Sequence, residues 1–278
     1  RSRRQRQMCI RDRKYSVISV NNLTKTIEQR PILQDINVDI HKGQLTTIIG
    51  PNGAGKSTLL SAITRLTDYD QGTITIDEHS IDDYKSNDLA KKLSILKQTN
   101  ITELNITVEQ LVQFGRFPYS KGRLKKEDKE KIQEALSLLN LTEIKDRYIK
   151  TLSGGQRQRA YVAMTIAQDT EYILLDEPLN NLDMKHAVQI MQILRHLAHH
   201  YNKTIVVVIH DINFASCYSD HIIAIKDGQT FISDTKDKVV QAETLSQLYD
   251  MPVKVEEIAS QRICIYYDER EESTQVEA

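Results

Sequence analysis

QLTTIIGPNGAGKSTLLSAITRL, residues 44–66, is the stretch on which the fold turns. Leu45 to Ile49 is the short, nearly continuous apolar run of a buried strand. Gly50-Pro51-Asn52-Gly53-Ala54-Gly55-Lys56-Ser57 fits G-x-x-x-x-G-K-[ST], and the residues after Ser57 read as a helix. A strand in front and a helix behind give the pattern its meaning. The glycines let backbone N–H groups wrap a phosphate, Lys56 can reach the β- and γ-phosphates, and the Ser57 hydroxyl can ligate Mg²⁺. The stretch predicts a strand–loop–helix nucleotide site at one edge of an α/β sheet.

The rest of the chain narrows the class. Its 278 residues are 40% hydrophobic and 27% charged, the composition of a globular protein large enough for a substantial core. A formal net charge of -1 gives no electrostatic reason to expect nucleic-acid binding. Cys9, Cys217 and Cys264 are scattered, forming neither a metal spacing nor a disulfide framework, so a reducing compartment fits. No apolar run approaches the roughly 18 residues of a spanning helix. RSRRQRQMCIRDRK, residues 1–14, carries seven basic residues and one acid and is read as an artefactual or disordered tail. The acidic end, DEREESTQVEA, has no periodicity and is expected to be disordered.

Between these tails the pattern is α/β. YSVISV (15–20), INVDI (36–40) and TITID (73–77) alternate apolar and polar residues, predicting half-buried strands of an N-terminal antiparallel sheet. YILLD (172–176) and TIVVVIH (204–210) read as fully buried parallel strands, joined by a helix with Ile190, Ile193, Leu194 and Leu197 on one face. Residues from about 101 to 165 differ. They lack strong strands, carry a helical stripe of Ile132, Ala135, Leu136 and Leu139, and place Thr107 as a cap before TVEQLVQF. A helical block inserted in the α/β core is the expectation. The domain thus runs over 15–235, and a C-terminal extension, 236–278, holds a short helix and two strands.

A nucleotide site needs a carboxylate at a neighbouring strand end. Asp176, after four apolar residues, supplies one for the metal's shell. Consecutive strand residues point to opposite faces, so Glu177 would have a separate role. Pro178 ends the strand, and Glu177 can then turn towards the γ-phosphate and polarise a water. His210 ends the strand expected beside Asp176, within reach of the same phosphate. Gln98, after LSIL, could line the metal and the attacking water. LSGGQRQR (152–159) sets two glycines directly before a good helix. That order suits either an anion site on free helix N–H groups or an ordinary glycine-rich loop.

Together these residues resemble the ATP-binding subunit of ABC transporters, across 15 to about 235. Gly50–Ser57 resembles the Walker A loop, Tyr172–Asp176 the Walker B strand, Gln98 the Q-loop, LSGGQ the signature and NNLD (180–183) the D-loop. The resemblance implies a P-loop NTPase fold, ATP and Mg²⁺ as ligands, and an ATPase that works as a head-to-tail homodimer. It implies Glu177, His210 and Gln98 as catalytic residues and Ser57, Gln98 and Asp176 around the metal. Gly50, Pro51, Asn52, Gly53, Ala54, Gly55, Lys56, Ser57 and Thr58 would bind nucleotide in one subunit. Ser153, Gly154, Gly155, Gln156 and Asp183 would serve the nucleotide of the other. TVEQLVQFGRFPYS, LNNLDMKHAVQIM and VIHDINFASCYSD are most similar to the siderophore and cobalamin branch of importers. That branch implies iron–siderophore uptake, a membrane permease as partner, an extracytoplasmic binding protein acting indirectly, and a location on the cytoplasmic side of the cell membrane.

The family usually stacks an aromatic residue on adenine shortly after the first strand. Here Ile27 stands at that place, and no Phe, Tyr or Trp occurs between Tyr15 and Tyr69. Weaker discrimination between ATP and GTP is expected, unless Tyr15 or a partner residue covers the base. Arg116, Phe117 and Tyr119, beside Gly115 and Pro118, are expected on an exposed turn that receives a permease helix. A non-transport ABC ATPase, serving iron–sulfur assembly or ribosomes, is the alternative. One signature, one Walker A loop and an importer-like helical block favour the importer.

Overall fold

The computed structural model describes residues 16–97 and 105–266. Strands β1 (Ser16–Ile27) and β2 (Arg30–His41) form a long antiparallel hairpin, followed by β3 (Leu45–Ile49) and helix α1 (Lys56–Ile63). Strands β4 (Gln71–Ile76) and β5 (His79–Ser80) follow, then α2 (Ser86–Lys92) and β6 (Leu93–Leu96). Helices α3 (Val108–Phe114), α4 (Phe117–Ser120), α5 (Lys126–Leu138) and α6 (Gly154–Ala167) come next. The chain returns to the sheet through β7 (Tyr172–Asp176), α7 (Met184–Tyr201), β8 (Thr204–Val208), α8 (Ile212–Tyr218), β9 (His221–Lys226) and β10 (Gln229–Thr235). It continues with α9 (Lys236–Val239), α10 (Ala242–Tyr249), β11 (Lys254–Ile258) and β12 (Gln261–Ile265).

The central sheet has the order β10-β9-β3-β8-β7-β6, parallel except where β10 pairs with β9. Every residue of β3, β7 and β8 is buried, as strands covered on both faces require. The period of two is visible in which core each residue enters. Ile173 and Leu175 join the cluster built with the helices of 108–167, whereas Tyr172 and Leu174 join the one that includes α1 and the β1–β2 hairpin. Each such Leu or Ile contributes about 1.5–3 kcal/mol by burial. The four-stranded antiparallel sheet, β2-β1-β4-β5, closes that second cluster with Ile18, Val20, Ile36, Ile40 and Ile74. A third cluster joins Ile49, Ile222 and Ala224 to Val239, Leu245, Leu248, Val253 and Cys264. The C-terminal segment therefore shares its core with the end of β3.

Local chemistry explains the element starts. Thr107 Oγ1 accepts from Gln110 N at 3.2 Å, and Gln110 Oε1 accepts from Thr107 N at 2.9 Å. This capping box begins α3. The stripe Ile132, Ala135, Leu136 and Leu139 is buried against α6 and its neighbours.

The exposed turn expected at Arg116 is corrected by the structure. Arg116 is buried. Its Nε donates to Asp128 Oδ1 at 2.9 Å, and its Nη1 donates to the carbonyls of Ala167 and Gln168, both at 3.1 Å. Burial pushes the Asp128 carboxyl up, but the Lys125 backbone N–H and Arg116 hold it below its ordinary value. Arg116 thus ties three helices together, while Phe114 and Phe117 on either side stay more than half exposed.

Candidate nucleotide site

The site lies where β3, β7 and β8 end. The chain leaves β3 at Gly50, whose φ of 144° and close approach to the Ile225 carbonyl leave no room for a side chain. Gly53 and Gly55 also have positive φ, 79° and 99°. They differ in surroundings. A Cβ on Gly55 would collide with Leu33 and the Ile32 carbonyl of the hairpin, whereas one on Gly53 would meet open space. Gly53 needs only its backbone conformation; Gly55 needs its size as well. Gly55 starts α1 in the left-handed region with no side-chain cap and no acid in the first turn. The unpaired N–H groups there suit an anion.

Lys56 is buried and donates to the Gly50 and Pro51 carbonyls, both at 2.8 Å. Burial lowers its pKa, while the charges of Glu177 and Asp176 pull it back up. Ser57 Oγ donates to Asp176 Oδ1 at 3.0 Å. Burial raises the Asp176 pKa; the Ser57 hydrogen bond opposes this, Glu177 adds to it, and Lys56 and His210 oppose it. Ser57 and Asp176 place two hard oxygen donors side by side. That set fits Mg²⁺, which takes one or two carboxylates together with substrate phosphates rather than an all-protein cage. Among the described residues no group of three or more His, Cys, Asp or Glu forms such a cage.

Glu177 adopts φ 51°, a left-handed conformation that is uncommon for a residue with a side chain. The turn carries its carboxylate away from the strand direction, into an open cleft of about 260 Å³ shared with Asn180, Leu182, His210 and Phe214. Glu177 Oε1 lies 2.5 Å from His210 Nε2, and Asn180 Nδ2 donates to Oε2 at 2.5 Å. Both carboxylate oxygens are engaged, each by one bond, and a carboxylate oxygen can accept a second one from a water. Asn180 went unnoticed as a partner of Glu177 in the sequence; its place three residues on, past a proline that ends the strand, is the signal that could have found it. His210 follows β8 and Asp176 ends β7, and the two strands are adjacent, as expected.

Ser153 caps α6. Its Oγ accepts from Gln156 N at 3.3 Å, and Gln156 Oε1 accepts from Ser153 N at 3.2 Å. Gly154 and Gly155 pack on Asn181 and Leu182, where an added Cβ would come within 3.2 Å of Asn181 atoms. Tight packing therefore favours small residues at 154 and 155. Asp183 caps α7 through His186 N at 2.9 Å and touches His186 Nδ1 at 2.7 Å. Ile27 ends β1 in the hairpin, whose Ile32 and Leu33 touch Gly55, and is itself exposed. Pro51, Asn52, Ala54 and Thr58 lie in the loop and first turn of α1, with Ala54 N donating to Pro51 O at 3.2 Å. Gln98, Tyr15 and both tails fall outside the described residues.

A parallel sheet with a glycine loop at the end of β3, a histidine after its neighbour β8 and acids at the end of β7 beyond it defines a nucleotide-hydrolysing cassette. The family model described as ABC transporter matches residues 33–180, and the chain belongs to that family, as an ATP-binding ATPase. It is 51% identical to the petrobactin import ATP-binding protein YclP of Bacillus subtilis (strain 168), over 90% of this chain and 100% of that one. It is 39% identical to the iron(3+)-hydroxamate import ATP-binding protein FhuC of the same organism, over 86% of this chain and 90% of that one. Among solved structures, the dimeric post-hydrolysis state of the ATP-binding cassette MJ0796 bound to ADP and Pi matches with a TM-score of 0.71. The identity there is 31%, over 79% of this chain and 98% of that chain.

Proposed function

We propose that this chain is the ATPase subunit of an importer that energises uptake of an iron–siderophore complex across the cytoplasmic membrane. The observation that carries the reading is the assembly of Lys56, Ser57, Asp176, Glu177 and His210 at three adjacent strand ends. In this reading Gly50–Thr58 holds the phosphates of ATP, with Lys56 exchanging its loop carbonyls for β- and γ-phosphate oxygens. Ser57 and Asp176, with Gln98, would hold Mg²⁺, which would supply positive charge to offset that of the phosphates. Glu177 accepts the proton of the attacking water, and His210 holds Glu177 and the γ-phosphate in register. Two copies pair so that Ser153–Gln156 and Asp183 of one face the nucleotide of the other. The domain is 15–235 with the helical block as an insertion, and 236–278 is its extension.

The import names of YclP and FhuC, and the identity over nearly the full chain, support iron–siderophore uptake over a non-transport role. The partners are then permease subunits, with a binding protein acting through them, and the chain sits peripherally at the membrane. No helix among the described residues is long and apolar enough to cross it. Exposed Phe117 and Tyr119 stay as candidate permease contacts, and exposed Phe114 takes the place of buried Arg116. The test is Lys56→Ala. It should weaken ATP binding, abolish hydrolysis and stop iron–siderophore uptake in cells that depend on this subunit. Unchanged ATP affinity would remove the loop from its role, and unchanged uptake would separate the ATPase from iron import.

A further inference from the structure

The C-terminal segment meets the nucleotide site from behind. Helix α10 packs Leu245 and Leu248 into the cluster that contains Ile49, the last residue of β3 before the loop. Tyr249, at the end of α10, packs against the same cluster. Its hydroxyl is shut off from solvent and, among the described residues, closes no hydrogen bond. The Gly50 backbone N–H lies close enough to the oxygen to pull on it, though outside hydrogen-bond geometry. Burial raises the phenol pKa to about 12, and the Gly50 amide pulls against that rise, with Cys264 and Asp211 adding to it. A second tie runs to the His210 side of the site. Asn213, in the first turn of α8 just after His210 and Asp211, donates through Nδ2 to the Cys264 carbonyl at 3.2 Å, and its Oδ1 accepts from Cys264 N at 2.7 Å. The segment thus touches the start of the phosphate loop through α10 and the helix behind His210 through β12.

A buried hydroxyl without a partner is costly to keep, because folding strips its water and returns nothing. A phenylalanine would fill the same space without that cost. The tyrosine is explained if the bond is made in another state of the loop. Gly50 is the pivot between β3 and the loop, fixed on its other side by the Ile225 carbonyl. A small turn of its peptide, as the following amides swing onto a phosphate, is enough to close or open a hydrogen bond to a hydroxyl already beside it.

We infer that Tyr249 is a positioning residue for the nucleotide loop: its hydroxyl accepts a hydrogen bond from the Gly50 amide in the nucleotide-loaded state and so links the C-terminal segment to ATP affinity. This rests on Gly50–Ser57 being the ATP-binding loop. Tyr249→Phe in the full chain keeps the ring and removes the oxygen. ATP titration should show an affinity two- to tenfold weaker than wild type, about the share of one neutral hydrogen bond. The melting midpoint of the nucleotide-free protein should be unchanged or higher. Hydrogen exchange at the Gly50 amide should slow on adding a non-hydrolysable ATP analogue in wild type and not in the variant. Equal ATP affinity of the two proteins, with or without a fall in melting midpoint, would reduce Tyr249 to packing and overturn the inference. Failure of the wild type itself to bind ATP would instead overturn the reading of the loop.

Discussion

Two adjacent acids, Asp176 and Glu177, are separated in role by one backbone angle. Asp176 ends the strand and faces Ser57; Glu177, at φ 51°, turns into the cleft with His210 and Asn180. If Glu177 is the general base, Glu177→Gln should keep ATP binding, since the amide preserves the shape, and lower hydrolysis by roughly 10²–10⁴-fold. Turnover assays with an ATP-binding control check this, and near-normal turnover would take Glu177 out of the reaction. Asp176 makes a prediction of opposite kind, in pH. Burial raises its folded pKa above the ordinary 3.8. Between that value and the raised one the folded state binds more protons than the unfolded state, so stability falls as pH rises through this window. Nucleotide-free wild type should therefore gain stability relative to Asp176→Asn as pH is lowered from neutral. Melting midpoints of the two proteins across pH measure it. A gain in the reverse direction would mean that Asp176 is held charged by its neighbours, as an ordinary ion-paired aspartate is.

At the scale of elements, Arg116 shows what a local pattern cannot carry. Beside Gly115 and Pro118 it reads as a turn residue, but its partners are 12, 51 and 52 positions away. Only the packing of α3, α5 and α6 brings them together, and Gly115 is kept small by the Met164 carbonyl of α6. Breaking a buried ion pair from one side costs about 3–5 kcal/mol, so Arg116→Ala should unfold at markedly lower denaturant. Lysine should rescue little, because its single ammonium cannot reproduce the guanidinium fork. Phe117→Ala, at an exposed position, should leave the unfolding midpoint in place. A stable Arg116→Ala would show that the pair is not needed to join these helices. The buried strands, by contrast, were legible because their signal is local. Their centres, Ile173–Leu175 and Ile205–Val208, are apolar throughout, and each is bounded by residues that stop a strand. The loop was legible because its glycines and lysine are fixed in order. The bond Asn213–Cys264 and the placement of Tyr249 were not, since each depends on how separate elements dock.

At the scale of the molecule the remaining question is which subunit's signature serves which nucleotide. Within one chain Ser153 is exposed and its hydroxyl is spent on capping α6, while Gly154 and Gly155 are fitted against Asn181 and Leu182. Nothing in these contacts ties the signature to the chain's own Lys56. If it acts on a partner's ATP, Ser153→Arg should leave ATP affinity of the isolated subunit near wild type. The lost cap would cost about 0.5–2 kcal/mol of local stability, too little to unfold the cassette. Hydrolysis should fail, because the arginine keeps each signature off the nucleotide it would complete. Lys56→Ala fails for a different reason, loss of its own phosphate contact. Mixing the two variants then discriminates. In a mixed pair, the intact loop of the Ser153→Arg chain faces the intact signature of the Lys56→Ala chain, and one complete site is rebuilt. The opposite site carries both defects. Hydrolysis should therefore appear in the mixture though neither variant has it alone. If each signature served its own chain, every site in the mixture would hold one defect and no activity would return.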